Sequence, residues 1–266
     1  MVRGHLGEWG ECLRTVALNA PPFTVACWKD IIAVGCRDGE IILLDGITGS
    51  QKAVLSEHAD CVNSVTFSSD GASLVSGSGD NTVGLWDVQT GGVVKTFCGH
   101  TDWVISVSIS EDCTMIASGS DDKTIRLWDI QAEECLHVME QQKIVYYVGF
   151  SPIDSQCLIS ASGGKVCQWD ISGCKINPVH DGSHAAFPLN QIKLVLCQGV
   201  VVTVRHFDYR QLRCCCCLIP GGRLIAVAAG RVINVWNIAS SYPHLIKTYV
   251  GHSEDISSLA FFPPPP

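Results

Sequence analysis

The sequence predicts an all-β chain assembled from a repeated four-stranded unit, and three observations carry that prediction. Helical periodicity is scarce, while short runs of alternating apolar and polar residues recur throughout, bounded by Gly, Asp, Asn and Ser. The segments EHADCVNSVTFSSDGASLVSGSGDNTVGLWDV (57 to 88) and GHTDWVISVSISEDCTMIASGSDDKTIRLWDI (99 to 130) align without a gap. His58 precedes Trp86 by 28 residues, as His100 precedes Trp128.

Each of these two units reads in the same order. A His-bearing loop leads into a strand, an acidic turn follows, then a Ser-Gly-Ser strand, a tight acidic turn, and a strand ending in Trp-Asp. On these residues the chain resembles the WD-repeat β-propellers. Following the Trp position outward gives Leu44, Trp86, Trp128, Trp169, Phe207 and Trp236, at intervals of 42, 42, 41, 38 and 29 residues. A period of roughly 40–45 residues is that of four-stranded propeller blades. The expected blades are 23 to 58, 62 to 100, 104 to 141, 144 to 181, 185 to about 210, and 214 to 252.

The expected architecture is therefore a single WD-repeat β-propeller over 12-262, with about six recognisable blades and an incomplete seventh. An N-terminal tail (1-11) precedes it and a Pro-rich end (263-266) follows. CLRTV at 12 to 16 reads as a spare outer strand, and ISSLAFF at 256 to 262 as the inner strand of the seventh blade. The short interval from Phe207 to Trp236 places a loss of about one strand near 208-217. The chain is accordingly expected to be a fragment whose ring does not close.

Composition narrows the class. The 266 residues are 47% hydrophobic and 17% charged, which excludes disorder as a description of the whole chain. A formal net charge of -8 disfavours a partner held by phosphate neutralisation. No window approaches the roughly 18 apolar residues of a membrane span, and the opening MVRGHLGEWGECLRT has no apolar signal region. Fifteen cysteines, an odd number without repeated spacing, read as reduced thiols acting as small hydrophobes. These features place the chain in the cytoplasm, with the nucleus as the alternative.

A closer resemblance is carried by LGEWGECLRTVALN, HDGSHAAFPLNQIKLVLCQGVVVTV and PHLIKTYVGHSEDISSLAF. These phrases resemble the WD-repeat region of fungal NACHT and WD-repeat receptor-like proteins, in which the repeats form the sensor of an NTPase. The sequence contains no G-x-x-x-x-G-K-[ST] phosphate loop, so the resemblance implies the sensor without the NTPase.

His58, Ser76, Asp80 and Trp86, with His100, Ser118, Asp122 and Trp128, contain the ingredients of a nucleophilic triad. No Gly-x-Ser-x-Gly elbow lifts a serine out of a sheet. The resemblance implies instead a structural hydrogen-bond chain within each blade. Ser160 and Trp169 keep half of the set in blade 4, where Gln142 stands in place of the histidine. A single tetrahedral metal site from Cys214 to Cys217 is disfavoured, because successive strand side chains point to opposite faces. They read as apolar filling of an inner strand, with an irregular remnant of the shortened region, then redox, lipid or metal chemistry, as the lesser alternatives.

In the resembled family, loops entering the inner strands form a partner-binding rim. The corresponding residues here are Asp60 and Cys61, Asp102 and Trp103, and Glu254 and Asp255. Trp is enriched among residues that dominate interface energy, and the alternatives are a Trp103 packed against the adjacent blade and acidic residues that are simply solvated loop charges. The function implied is non-catalytic binding of other proteins through rim loops, as a scaffold or sensor, with no enzyme activity, cofactor, metal or membrane expected. A nucleic-acid-associated scaffold, such as an RNA-processing subunit, is the alternative. A propeller enzyme ranks below both.

Overall fold

Why the chain folds into sheets is legible in its middle strands, where small and branched residues alternate with serines that pack without bulk. A computed structural model of the chain describes residues 15–150, 156–162, 165–171, 175–178, 186–189, 192–197, 200–205, 214–218, 224–229, 231–237 and 244–250. Among these residues every regular element is a strand, and every pairing is antiparallel between chain neighbours.

The first sheet runs β1 (Pro22–Trp28), β2 (Ile31–Cys36), β3 (Ile41–Asp45), β4 (Gln51–Leu55). The second is β5 (Val62–Phe67), β6 (Ser73–Ser78), β7 (Val83–Asp87), β8 (Val93–Phe97). The third is β9 (Val104–Ile109), β10 (Met115–Ser120), β11 (Thr124–Asp129), β12 (Glu134–Glu140). The fourth is β13 (Val145–Phe150), β14 (Cys157–Ser162), β15 (Lys165–Asp170), β16 (Lys175–Pro178). A three-stranded sheet follows, β17 (Ala186–Leu189), β18 (Ile192–Cys197), β19 (Val200–Arg205). The last described is β20 (Cys214–Leu218), β21 (Leu224–Ala229), β22 (Val232–Asn237), β23 (His244–Val250). Cys214 to Cys217 thus lie on the first strand of that sheet.

The sheets stack face to face. Strand β1 lies beside β5, β5 beside β9, and β9 beside β13. Three apolar layers fill the gaps between sheets. Leu43 and Leu55 meet Leu74 and Trp86, Leu85 and Phe97 meet Ile116 and Trp128, and Leu127 and Met139 meet Leu158 and Trp169. Because a sheet in this stack is covered on both faces, its second strand is buried almost throughout, and simple in/out alternation survives only toward the outer strands. Among the described residues no backbone ladder joins one sheet to the next, and serine hydroxyls take its place. Val107 N–H donates to Ser64 Oγ (3.2 Å), Val148 N–H to Ser106 Oγ (3.0 Å), and Phe150 N–H to Ser108 Oγ (3.2 Å).

The three-stranded sheet departs from this pattern. Its last strand, β19, lies against β13, β14 and β15 on one side and β20 on the other, so it takes the place that a first strand takes in the earlier sheets. Phe207, assigned by spacing to the Trp position, lies outside the described residues, as does ISSLAFF at 256 to 262. Of CLRTV, the described Thr15 and Val16 belong to no strand.

Candidate functional site

Strand pairing brings the repeated polar residues together. Ser76 on β6 sits opposite Gly84 on β7, beside Trp86, and the loop before β5 lays His58 over them. The indole Nε1–H of Trp86 donates to Ser76 Oγ at 2.7 Å, Ser76 Oγ lies 2.7 Å from His58 Nε2, and His58 Nδ1 lies 2.9 Å from Asp80 Oδ2. The third sheet repeats the chain. Trp128 Nε1–H donates to Ser118 Oγ at 2.8 Å, Ser118 Oγ is 2.7 Å from His100 Nε2, and His100 Nδ1 is 2.7 Å from Asp122 Oδ2.

The donors fix the direction of the chain. An indole nitrogen only donates and a carboxylate only accepts, so in the neutral imidazole Nδ1–H points at the carboxylate and Nε2 accepts the serine hydroxyl. Burial pushes the His100 imidazole below its ordinary value of 6.5 and so favours the neutral ring, although Asp122 pulls in the opposite direction. Burial raises the Asp122 carboxyl, but the hydrogen bonds from Thr124 and His100 outweigh it and hold the group below its ordinary range. Asp80 is lowered in the same way, with burial opposed by bonds from His58 and Thr82.

This order of bonds is that of a Ser-His-Asp triad, yet the arrangement cannot act as one. Ser76 and Ser118 have no exposed surface, and each hydroxyl already accepts an indole N–H. A nucleophile must face a substrate and an oxyanion site. The chain instead clamps a loop to its sheet, because Asp80 Oδ2 also accepts Ala59 N–H at 3.0 Å and Asp122 Oδ2 accepts Thr101 N–H at 3.1 Å.

Two further pairs complete each clamp and escaped the sequence reading. Thr82 and Thr124 donate their hydroxyls to Asp80 and Asp122 at 2.6 and 2.7 Å. Ser78 and Ser120 donate to the carbonyls of Asp60 and Asp102, both at 2.9 Å. The signal was available, since the gapless alignment superposes both pairs. In the fourth sheet Trp169 Nε1–H still donates to Ser160 Oγ at 2.8 Å, while Gln142 is exposed.

Of the rim residues, Asp60 and Asp102 are exposed, and Trp103 is 40% exposed. Trp103 is held by its backbone, with its N–H donating to Asp102 Oδ1 (2.8 Å) and its carbonyl accepting Asp121 N–H (3.0 Å). Cys61, at the matching position, is buried, and its side chain offers no contact surface. A Cβ on Gly79 would stand 3.0 Å from Cys61 Sγ. Asp121 occupies the Gly79 position in the next repeat, and both positions donate the backbone N–H to the carbonyl of the matching residue, Cys61 or Trp103. Glu254 and Asp255 lie outside the described residues. Among the described residues no cluster of His, Cys, Asp or Glu is placed to hold a metal, and no helix is long and apolar enough to cross a membrane.

Comparison with known proteins agrees with this geometry. The pattern "WD domain, G-beta repeat" matches residues 49–87 and 91–129. Each match begins in the turn just before the outer strand of one sheet and ends in the third strand of the next, so one sequence repeat ties two sheets together. The chain is also 36% identical over 56 residues to "Retinoblastoma-binding protein homolog 5" of Caenorhabditis elegans. That alignment covers 21% of this chain and 12% of the relative's length. Domains of this kind generally mediate protein–protein contact and are generally non-enzymatic. The chain carries WD repeats at 49–87 and 91–129, and the antiparallel four-stranded sheets that contain them have the form of WD-repeat β-propeller blades.

Proposed function

We propose that the chain is a non-catalytic scaffold that captures other proteins on the loop face carrying Asp60, Asp102 and Trp103. The observation that carries this reading is the 40% exposed indole of Trp103 on a loop pinned at both backbone groups. A large aromatic side chain on a hydrogen-bonded backbone needs less loop ordering on binding, which favours its use as an anchor. In the sequence, Glu254 and Asp255 follow Gly251-His252 as Asp102 and Trp103 follow Gly99-His100. The finer reading is the sensor part of a fungal NTPase-type receptor-like protein, and it rests on the three phrases that resemble that class.

The test is affinity capture with this chain as bait. Trp103→Ala weakens capture by at least about 2 kcal/mol, roughly thirtyfold, while the unfolding midpoint stays in place. Equal capture with clear destabilisation sinks the reading and assigns Trp103 to packing. Partner capture that persists at high salt supports a protein partner, whereas salt-sensitive retention of nucleic acid supports the alternative scaffold.

A further inference from the structure

The outer strands of the first three sheets leave one edge without a ladder partner among the described residues, and they guard it differently. An open strand edge is a template for another strand, and proteins blunt it with short strands, Lys or Pro. Strands β4 and β8 are five residues each and carry Lys52 and Lys95. Strand β12 is seven residues, ECLHVME, with no Lys, Arg or Pro. Leu136 and Val138 in its middle are 39% and 49% exposed. A bulge opposite Leu127 and Trp128 leaves Leu136 without a cross-strand partner, and bulges of this kind re-aim a side chain outward.

The charges on the strand say what covers it. Glu134 and Glu140, one at each end, are exposed and make no ion pair among the described residues. If a second copy paired through the same strand, antiparallel about His137, Glu134 would face the other copy's Glu140 twice, and like charges directly opposite destabilise a ladder. A parallel pairing in register would set each glutamate against its equivalent. Opposite charges at the same places are favourable. We infer that the outer edge of β12 is a strand-addition site for an extended segment of another protein, apolar at its centre and basic at both ends. Main-chain bonds along the edge supply affinity, while Leu136, Val138 and the two glutamates supply selection. The edge is separate from the loops that carry Trp103, so either reading can fail while the other stands.

The probe is a fluorescent, end-blocked peptide Arg-Thr-Val-Thr-Val-Thr-Arg, compared with the same peptide bearing Glu at both ends, each titrated against the full chain. The Arg-ended peptide binds about tenfold more tightly, as two reversed cross-strand pairs require, and slows amide exchange across 134–140. The double substitution L136K/V138K, at exposed positions, abolishes binding and protection. The double substitution E134K/E140K reverses the preference toward the Glu-ended peptide, and it decides the matter even if L136K/V138K unfolds. No binding to about 1 mM, protection on β4 or β8 instead, or unaltered preference in E134K/E140K overturns the inference. So does a dimer of the free chain that L136K/V138K dissolves, since the occupant is then a second copy.

Discussion

The first and third sheets solve the same packing problem with opposite chemistry. In the third, the face turned toward the preceding sheet holds Ser118, Trp128, His100 and Asp122 in one hydrogen-bonded chain. In the first, the same repeat positions are Val34 and Leu44, both buried, in a layer with Ile32, Cys36, Ile42 and Ala20, and with Leu18 packed on it. Asp38 stands where Asp122 stands, but it is exposed and bonds only its own turn, accepting Glu40 N–H at 3.2 Å. A blade therefore does not need the polar chain. What the chain adds is a fixed loop: it ties Thr101 and the Trp103 segment to the sheet, which apolar side chains without directional bonds cannot do.

The largest effect that tests this comparison is at Trp128, which is 2% exposed and touches both the apolar layer and Ser118. Trp128→Ala opens a cavity and strands the serine hydroxyl, with an expected loss of about 3–5 kcal/mol in denaturant unfolding. A loss below about 1 kcal/mol would mean that the neighbouring sheets close over the gap.

Next in size is the contrast between equivalent acids. Asp122→Ala or His100→Ala leaves a buried partner unsatisfied and costs about 1–3 kcal/mol. Asp38→Ala, at the same repeat position in the first sheet, changes stability by no more than about 0.5 kcal/mol. Similar losses at Asp38 and Asp122 would erase the distinction between the two sheets.

Acid titration separates them further. His100 is held below its ordinary 6.5, so it contributes stability that is fully present above that value and lost as pH falls below it. Asp80 and Asp122 lie below their ordinary 3.8, and their contribution is lost in a second, more acidic window beneath that value. Unfolding midpoints of the wild type and His100→Ala, measured from neutral pH downward, are expected to differ less as pH falls through the first window. A constant difference would show that His100 does not resist protonation in the folded chain.

How far the sequence could be read follows from the same contrast. The second and third sheets announced themselves because directional bonds demand particular residue types at fixed spacing, from His58 to Trp86 and from His100 to Trp128. Val34 and Leu44 leave no such signature, since many apolar residues fill the same volume. Trp103 was legible as an exposed loop residue, whereas the burial of Cys61 at the matching position depends on tertiary surroundings that no within-strand pattern reports. The placement of β19 between the fourth and last sheets is set by long-range packing in a stretch without the repeated polar residues.

The smallest effect expected is a gain, and it comes from the turns that join the second and third strands. Gly39, Asn81 and Lys123 occupy this turn in the first three sheets with φ of 91°, 72° and 69°. Glycine adopts such angles freely and asparagine tolerates them, but a lysine there holds its Cβ against the backbone. Lys123 is exposed, and its N–H donates to the Ser120 carbonyl while its own carbonyl accepts Gln141 N–H, bonds that a glycine keeps. Lys123→Gly relieves the left-handed strain but adds freedom to the unfolded chain, so the net gain is small, up to about 1 kcal/mol. Thermal unfolding of the variant beside the wild type measures it. A loss of stability instead would show that the lysine stem contributes packing on this loop face that outweighs its backbone strain.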